Sequence, residues 1–149
     1  MISCVVDASV AAKWFNDEIF SEKAHILLSG RYLLGAPDFF LLEMDNVFCK
    51  WTRRKIMTQE EALEHRTAIR KIPVNFYSYI NLQDSAYLLA ISSGCGIYDC
   101  LYIALAIILE TRMVTADRRL YDALAGGPFG KYLLWIGNLK SGDIIRFFV

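Results

Sequence analysis

Apolar positions along this chain switch between two spacings, and the switches mark its elements. Ile2-Ser3-Cys4-Val5-Val6 is a short apolar run that ends at Asp7, the mark of a buried strand, and Ser9 then opens a segment of helical spacing from Val10 to Asn16. Ser21 to Ser29 predicts a second helix, with Ser21 as N-cap and Gly30 as terminator. Leu33 to Ala36, stopped by Pro37, reads as a second strand. Phe39 to Arg54 places Phe40, Leu41, Met44, Val47, Phe48 and Trp51 on one face of a long helix. Thr58-Gln59-Glu60-Glu61 is a capping box that opens a helix to about Lys71. Pro73 ends it, and Val74 to Tyr77 resumes an extended run of high β-propensity.

The second half repeats the alternation. Leu82 to Ser92 is helical in pattern with Gly94 as terminator, and Ile97 to Glu110 is apolar almost all round, which assigns it to the middle of the core. A strand from Met113 to Thr115, a short helix from Asp117 to Leu124, the breaker Gly126-Gly127-Pro128 and a final strand at Leu133 to Ile136 follow. The tail from Ile144 ends in Phe147-Phe148-Val149, apolar enough to dock on the domain or on a second subunit. Strands alternating with helices, with no repeat or linker between them, imply an α/β fold. The expectation is a central, mostly parallel sheet of four to five strands with helices on both faces.

Composition narrows the class. At 149 residues the chain suits one domain, and 55% hydrophobic with 13% aromatic residues excludes disorder and leaves apolar surface for an oligomeric or protein interface. No run of about 18 uncharged apolar residues occurs, and no basic segment followed by a long apolar run stands at the N-terminus, so the expected location is cytoplasmic, with no membrane partner. Cys4, Cys49, Cys95 and Cys100 lack C-x-x-C spacing and read as reduced, packed thiols; a zinc site at Cys95 and Cys100 lacks further ligands nearby. Sixteen basic and sixteen acidic residues cancel, which argues against a passive nucleic-acid binder but not against an enzyme that holds a phosphate through metal ions.

Four carboxylates carry the candidate chemistry. Asp7 and Asp117 lie at strand tips, where ligands sit in α/β sheets, although each could simply cap the helix that follows. Glu43 and Asp99 fall on or at the start of the two most apolar long helices, where a charge is costly unless it faces a polar cleft or a cation. The bland reading of Glu43 is a first-turn acid favoured by the helix dipole, and Asp99 could likewise simply cap the helix Cys100 to Glu110. Asn46 shares Glu43's helix face, whereas Asp45 points nearly opposite, toward a surface or an interface. Convergent carboxylates repel by about 4 kcal/mol per pair at roughly 4 Å and an effective dielectric near 20. A divalent cation removes that cost, and an all-oxygen set selects Mg²⁺ or Mn²⁺.

These residues fall in a recognisable order. Val5-Val6-Asp7-Ala8-Ser9-Val10-Ala11-Ala12-Lys13-Trp14-Phe15, then Leu42-Glu43 with Asn46, then Tyr98-Asp99-Cys100-Leu101-Tyr102-Ile103-Ala104-Leu105-Ala106, then Val114-Thr115-Ala116-Asp117-Arg118-Arg119-Leu120 resemble the successive signatures of PIN-domain ribonucleases, and most of all the VapC-type toxins of bacterial type II toxin–antitoxin pairs. The resemblance covers nearly the whole chain. It implies a single PIN-like domain over residues 1–149, with the tail from about 137 as an interface extension. It implies a metal-dependent endoribonuclease whose acidic site is Asp7, Glu43, Asp99 and Asp117, with Ser9 and Thr115 as polar neighbours. It further implies an RNA substrate, a homodimer, and an antitoxin that lays a C-terminal segment across the site. Cys100 departs from the small residue usual there, and Asp45 is an extra acid.

Other residues are weighed beside that core. Lys13, one turn after Ser9, could reach the phosphate or neutralise Asp7, and Arg118 could touch substrate backbone, as could Arg119. The run Lys50, Arg53, Arg54, Lys55 suits a solvated helix end, an acidic partner or RNA. Trp14, Phe15, Phe39, Phe40, Tyr98 and Tyr102 could stack bases, but their helical spacing assigns them to packing. His25 and His65 sit in helices away from every motif, so neither is the expected base. The competing classes are a phosphoacceptor-type α/β module, which would also put Asp at the first strand tip, and a non-catalytic interaction module, which would have lost at least one of the four acids. Neither G-x-G-x-x-G nor G-x-x-x-x-G-K-[ST] occurs, so nucleotide-binding loops are excluded.

Overall fold

The computed structural model describes residues 1–140. Five strands, β1 (Ile2–Val6), β2 (Tyr32–Pro37), β3 (Val74–Tyr77), β4 (Met113–Thr115) and β5 (Leu133–Trp135), form one sheet in the order β3-β2-β1-β4-β5. All four pairings are parallel. The helices are α1 (Ala8–Ala11), α2 (Ser21–Ile26), α3 (Phe40–Arg53), α4 (Gln59–Ile69), α5 (Tyr79–Ser93), α6 (Ile97–Ile108) and α7 (Arg118–Leu124). Strand order runs outward from β1 to β3 and then reverses to β4 and β5. Right-handed crossovers therefore send α1 to α4 to one face and α5 to α7 to the other. The reversal falls between β1 and β4, and a crevice opens at the carboxyl ends of those two strands.

The sheet is short-stranded and its centre is dry. Val5 and Val6 in β1 and Met113 and Val114 in β4 are fully buried, as parallel strands covered on both faces require. In α6 every residue from Cys100 to Ala106 is buried, as its all-round apolar pattern predicts. Along α3 the buried positions are Phe40, Met44, Phe48 and Trp51, a single stripe at i, i+4, i+8 and i+11. Each such Leu, Phe or Met side chain contributes roughly 1.5–3 kcal/mol on burial.

Several element ends follow local chemistry. The capping box of α4 is complete: the Glu61 backbone N–H donates to Thr58 Oγ1 at 3.1 Å, and Glu61 Oε1 accepts from the Thr58 N–H at 3.4 Å. Gly94 closes α5 at φ 76°, a left-handed turn that glycine takes without a Cβ clash. At Gly130 a Cβ would lie 2.1 Å from the carbonyl oxygen of Ala125, so only glycine lets the chain pass there. A departure is Ser21, expected as the N-cap of α2. Phe20 occupies that position with φ 70°, and Ser21 is already helical. Its hydroxyl instead accepts from the Glu18 N–H at 2.8 Å and donates to the Asn16 carbonyl at 3.2 Å, tightening the loop before the helix.

Among the described residues no single helix is long and apolar enough to cross a membrane. The apolar tail at Ile144 to Val149 and its expected docking lie outside the described residues. Beyond β5 the described chain passes through a short 3₁₀ turn, Ile136–Asn138, and Ile136 and Leu139 are fully buried.

Candidate active site

Asp7 follows β1 directly and caps α1, so both readings of its position hold at once. Its Oδ1 accepts from the Val10 N–H at 3.1 Å and from Ser9 Oγ at 2.6 Å, while Oδ2 accepts from Thr115 Oγ1 at 2.7 Å. Ser9 Oγ in turn accepts from the Ala116 N–H at 3.0 Å, and Thr115 Oγ1 from the Asp117 N–H at 3.1 Å. Two hydroxyls thus lace the tip of β1 to the tip of β4 across 108 residues of sequence. Asp117 caps α7 through the Leu120 N–H at 3.1 Å. The carboxylates at the two central strand ends are aimed by their own backbone caps.

The other two acids come from the helices. Asp99 is the third residue of α6; Gly96, not Asp99, is its N-cap. Glu43 lies in the first turn of α3, where its Oε1 accepts a short hydrogen bond from the Tyr102 hydroxyl. Their electrostatics link the four acids in pairs. Burial pushes the Asp7 carboxyl up to about 6, against the hydrogen bonds from Ser9, Thr115 and Val10, and the charge of Asp99 raises it further. Burial also raises Glu43, opposed by the Tyr102 hydroxyl and reinforced by Asp99. Asp99 itself is raised by burial and by the charge of Asp117. Asp99 is thus the acid electrostatically coupled to each of the other three.

Among the described residues no lysine or arginine forms an ion pair with any of these four acids. The ion pairs there join Lys13 to Glu18, Arg66 and Arg70 to Asp45, and Arg118 to Asp122. Lys13, a candidate neutraliser of Asp7, is held by Glu18 at 3.3 Å. Arg118, the candidate substrate contact, stacks its guanidinium 4.8 Å from the Trp135 ring and pairs with Asp122. Arg119 has neither commitment and lines a cleft of about 290 Å³ with Cys95, Gly96, Asp99 and Asp117. Asn46 is exposed on Glu43's side of α3, bordering a second cleft with Tyr98. Asp45 is turned away, forked onto Arg66 at 2.8 and 3.0 Å, and ties α3 to α4.

Among the described residues, no three Asp, Glu, His or Cys side chains stand close enough to hold one metal ion between them. The donor chemistry nevertheless fits a hard divalent cation: all four donors are carboxylates, three are raised by burial, and among the described residues none of the four is ion-paired to a lysine or arginine.

Tyr102 is the site residue that sequence spacing assigned to packing. It is only 2% exposed, and its hydroxyl is pushed up by burial, by Glu43 and by the charges of Asp7 and Asp99. The signal was its place three residues after Asp99, on the same face of α6. A core tyrosine needs a partner for its hydroxyl, and here that partner is an acid of the site.

Comparison with known proteins agrees with this geometry. The PIN domain family model matches residues 4–125. The chain is 33% identical over 121 residues to Ribonuclease VapC3 of Pyrobaculum aerophilum, covering 79% of this chain and 92% of that protein. Among solved structures, PAE2754 from Pyrobaculum aerophilum superposes with a TM-score of 0.66 at 19% identity, over 93% of this chain and 86% of its own. A toxin–antitoxin complex from Klebsiella pneumoniae gives 0.59 at 12% identity, over 88% and 95%. A doubly wound parallel sheet, a family model spanning most of the sequence and a relative matched over nearly its full length together make this chain a member of the PIN-domain family.

Proposed function

We propose that the protein is an endoribonuclease that hydrolyses RNA phosphodiester bonds with Mg²⁺ or Mn²⁺, and that it is the toxin of a toxin–antitoxin pair. The observation that carries the chemistry is the electrostatic coupling of Asp99 to Asp7, Glu43 and Asp117, none of which is ion-paired to a lysine or arginine among the described residues. Asp7, Glu43, Asp99 and Asp117 would hold the cation. Once bound, it would supply Lewis-acid activation of a water and neutralise charge on the scissile phosphate. Asp7 is oriented by Ser9, Val10 and Thr115, so its two oxygens cannot swing out of the crevice. Tyr102 orients Glu43 in the same way. Arg119, uncommitted beside Asp99 and Asp117, is placed to meet substrate backbone.

The ribonuclease name of VapC3 and the toxin–antitoxin assembly of the Klebsiella protein support the biological reading, with a cognate antitoxin as partner. Exposed Ile80, Tyr87, Leu88 and Ile91 form a stripe along α5 that would suit a homodimer, and a cytoplasmic setting suits the reduced thiols. The direct test is cleavage of single-stranded RNA by the purified chain. Mn²⁺ or Mg²⁺ should support it and EDTA should abolish it. RNA left intact in both metals would end the nuclease reading, and covalent labelling of Asp7 by a phosphodonor would favour a phosphoacceptor.

Loss of the Tyr102 hydroxyl gives a second expected result. Tyr102→Phe keeps the ring in the core but frees Glu43, so Mn²⁺ affinity, read by electron paramagnetic resonance of free Mn²⁺, should fall about 10- to 100-fold, as for other partners that orient a metal ligand. Unchanged affinity would make the hydrogen bond a matter of packing alone.

A further inference from the structure

Helical spacing sends six aromatic residues to packing, and the structure separates one of them. Trp14, Phe40 and Tyr102 are buried, but Tyr98 is 67% exposed although it directly precedes Asp99 in the first turn of α6. The ring is braced rather than loose. Phe39 meets it nearly perpendicularly with centroids 5.8 Å apart, and meets Tyr102 the same way at 5.5 Å. Such a ring offers a flat apolar face whose ordering cost is already met by the fold.

Tyr98 forms one wall of a cleft of about 520 Å³, with Phe39, Leu42, Glu43, Asn46 and Cys49 around it. Leu42 is 72% exposed there, so the lining is apolar and open. Its polar groups include the Glu43 carboxylate, whose Oε1 already accepts from the Tyr102 hydroxyl, and the Asn46 amide, which offers two donors and an acceptor. Asp45 also borders the cleft, but its charge is answered by Arg66 and Arg70.

We infer that this cleft is a nucleobase subsite: the base beside the scissile phosphate stacks on Tyr98, and Asn46 hydrogen-bonds its edge. The inference rests on the ribonuclease reading and adds what holds the substrate. Sixteen acidic residues balance sixteen basic ones, and four acids crowd the reaction site, so attraction for the RNA backbone is weak where it is needed. Stacking works without net charge and tolerates any base, while an amide can discriminate base edges. A single-stranded base has both features, a flat face and a polar edge. An aliphatic peptide side chain would meet the ring and Leu42 but leave the amide unmatched. Because Glu43 belongs to both cleft and acid cluster, the occupant lies next to the reacting bond.

The test uses the full chain and single-stranded RNA oligonucleotides carrying 2-aminopurine at successive positions. In EDTA, binding should quench 2-aminopurine at one position for the parent and for Tyr98→Phe, and Tyr98→Ala should lose that quenching. With Mn²⁺, Tyr98→Ala should raise KM about tenfold with kcat held, the loss expected for one stacked base. Asn46→Ala should change which base is preferred at that position while Tm stays at the parent value. Cleavage by the parent that is indifferent to Tyr98→Ala and Asn46→Ala would overturn the subsite and leave the nuclease reading standing. RNA neither bound nor cleaved by the parent would overturn both. A Tyr98→Ala chain that cleaves and binds RNA normally but fails to hold a co-expressed protein partner would give the cleft to a protein segment and also overturn the inference.

Discussion

Asp99→Asn should cut RNA cleavage by about a thousandfold at saturating Mn²⁺ concentrations that serve the parent. Asp99 is the acid whose charge reaches Asp7 and Glu43 and which itself feels Asp117, so its removal weakens the field of the whole cluster. A unit charge about 4 Å from a cation at an effective dielectric near 20 is worth on the order of 4 kcal/mol, which corresponds to about three decades in rate. The substitution is nearly isosteric, and Asp99 makes no capping hydrogen bond that the helix needs, so the fold should persist. Initial rates on one oligonucleotide, over a Mn²⁺ titration, provide the check. A parent-like rate would remove Asp99 from the chemistry and with it the idea of a common site.

The second large effect is on stability, and its sign is opposite to that of an ordinary salt-bridged acid. The Asp7 carboxyl is raised from 3.8 to about 6 in the folded chain, mainly by burial. A raised carboxyl holds its proton more tightly folded than unfolded, so the stability it contributes is present in full below pH 3.8 and is lost as pH rises through about 6. In EDTA the chain should therefore gain about 1 kcal/mol from this group on going from pH 7 to pH 5, a rise in Tm of about 2–4 °C. The raised Glu43 and Asp99 act in the same direction. Mn²⁺ at neutral pH should reverse the trend, because a ligand at a hundred times its Kd adds about 2.7 kcal/mol. Asp99→Asn should melt above the parent in EDTA and below it in Mn²⁺. If it melts below the parent in both, the carboxylates stabilise the fold by themselves and have no need of a cation.

These expectations depend on features of unequal visibility. Strands and helices were legible because each is specified by neighbours a few residues apart: the β-propensity of Val74 to Tyr77, the stripe from Phe40 to Trp51, the Thr58–Glu61 box. Ser21 misled for the same reason, since a serine ahead of an apolar run caps a helix only if the preceding loop leaves its hydroxyl free. Here that hydroxyl is taken by Asn16 and Glu18. The partners of long side chains were also out of reach. Lys13 is spaced to meet Asp7 but meets Glu18, and Arg118 rather than Arg119 turns to Asp122 and the Trp135 ring.

From the chain alone came the class of fold, its five strands, and the four acids, because burial periodicity and a carboxylate out of place on an apolar helix are local facts. Folding decided that the strands order as β3-β2-β1-β4-β5, that Thr115 reaches Asp7 across 108 residues, and that Tyr102 is given to Glu43 while Tyr98 is left in the open. Those outcomes turn on which surfaces pack against each other. Packing is a competition among contacts distant in sequence, and no stretch of neighbouring residues records how it ends.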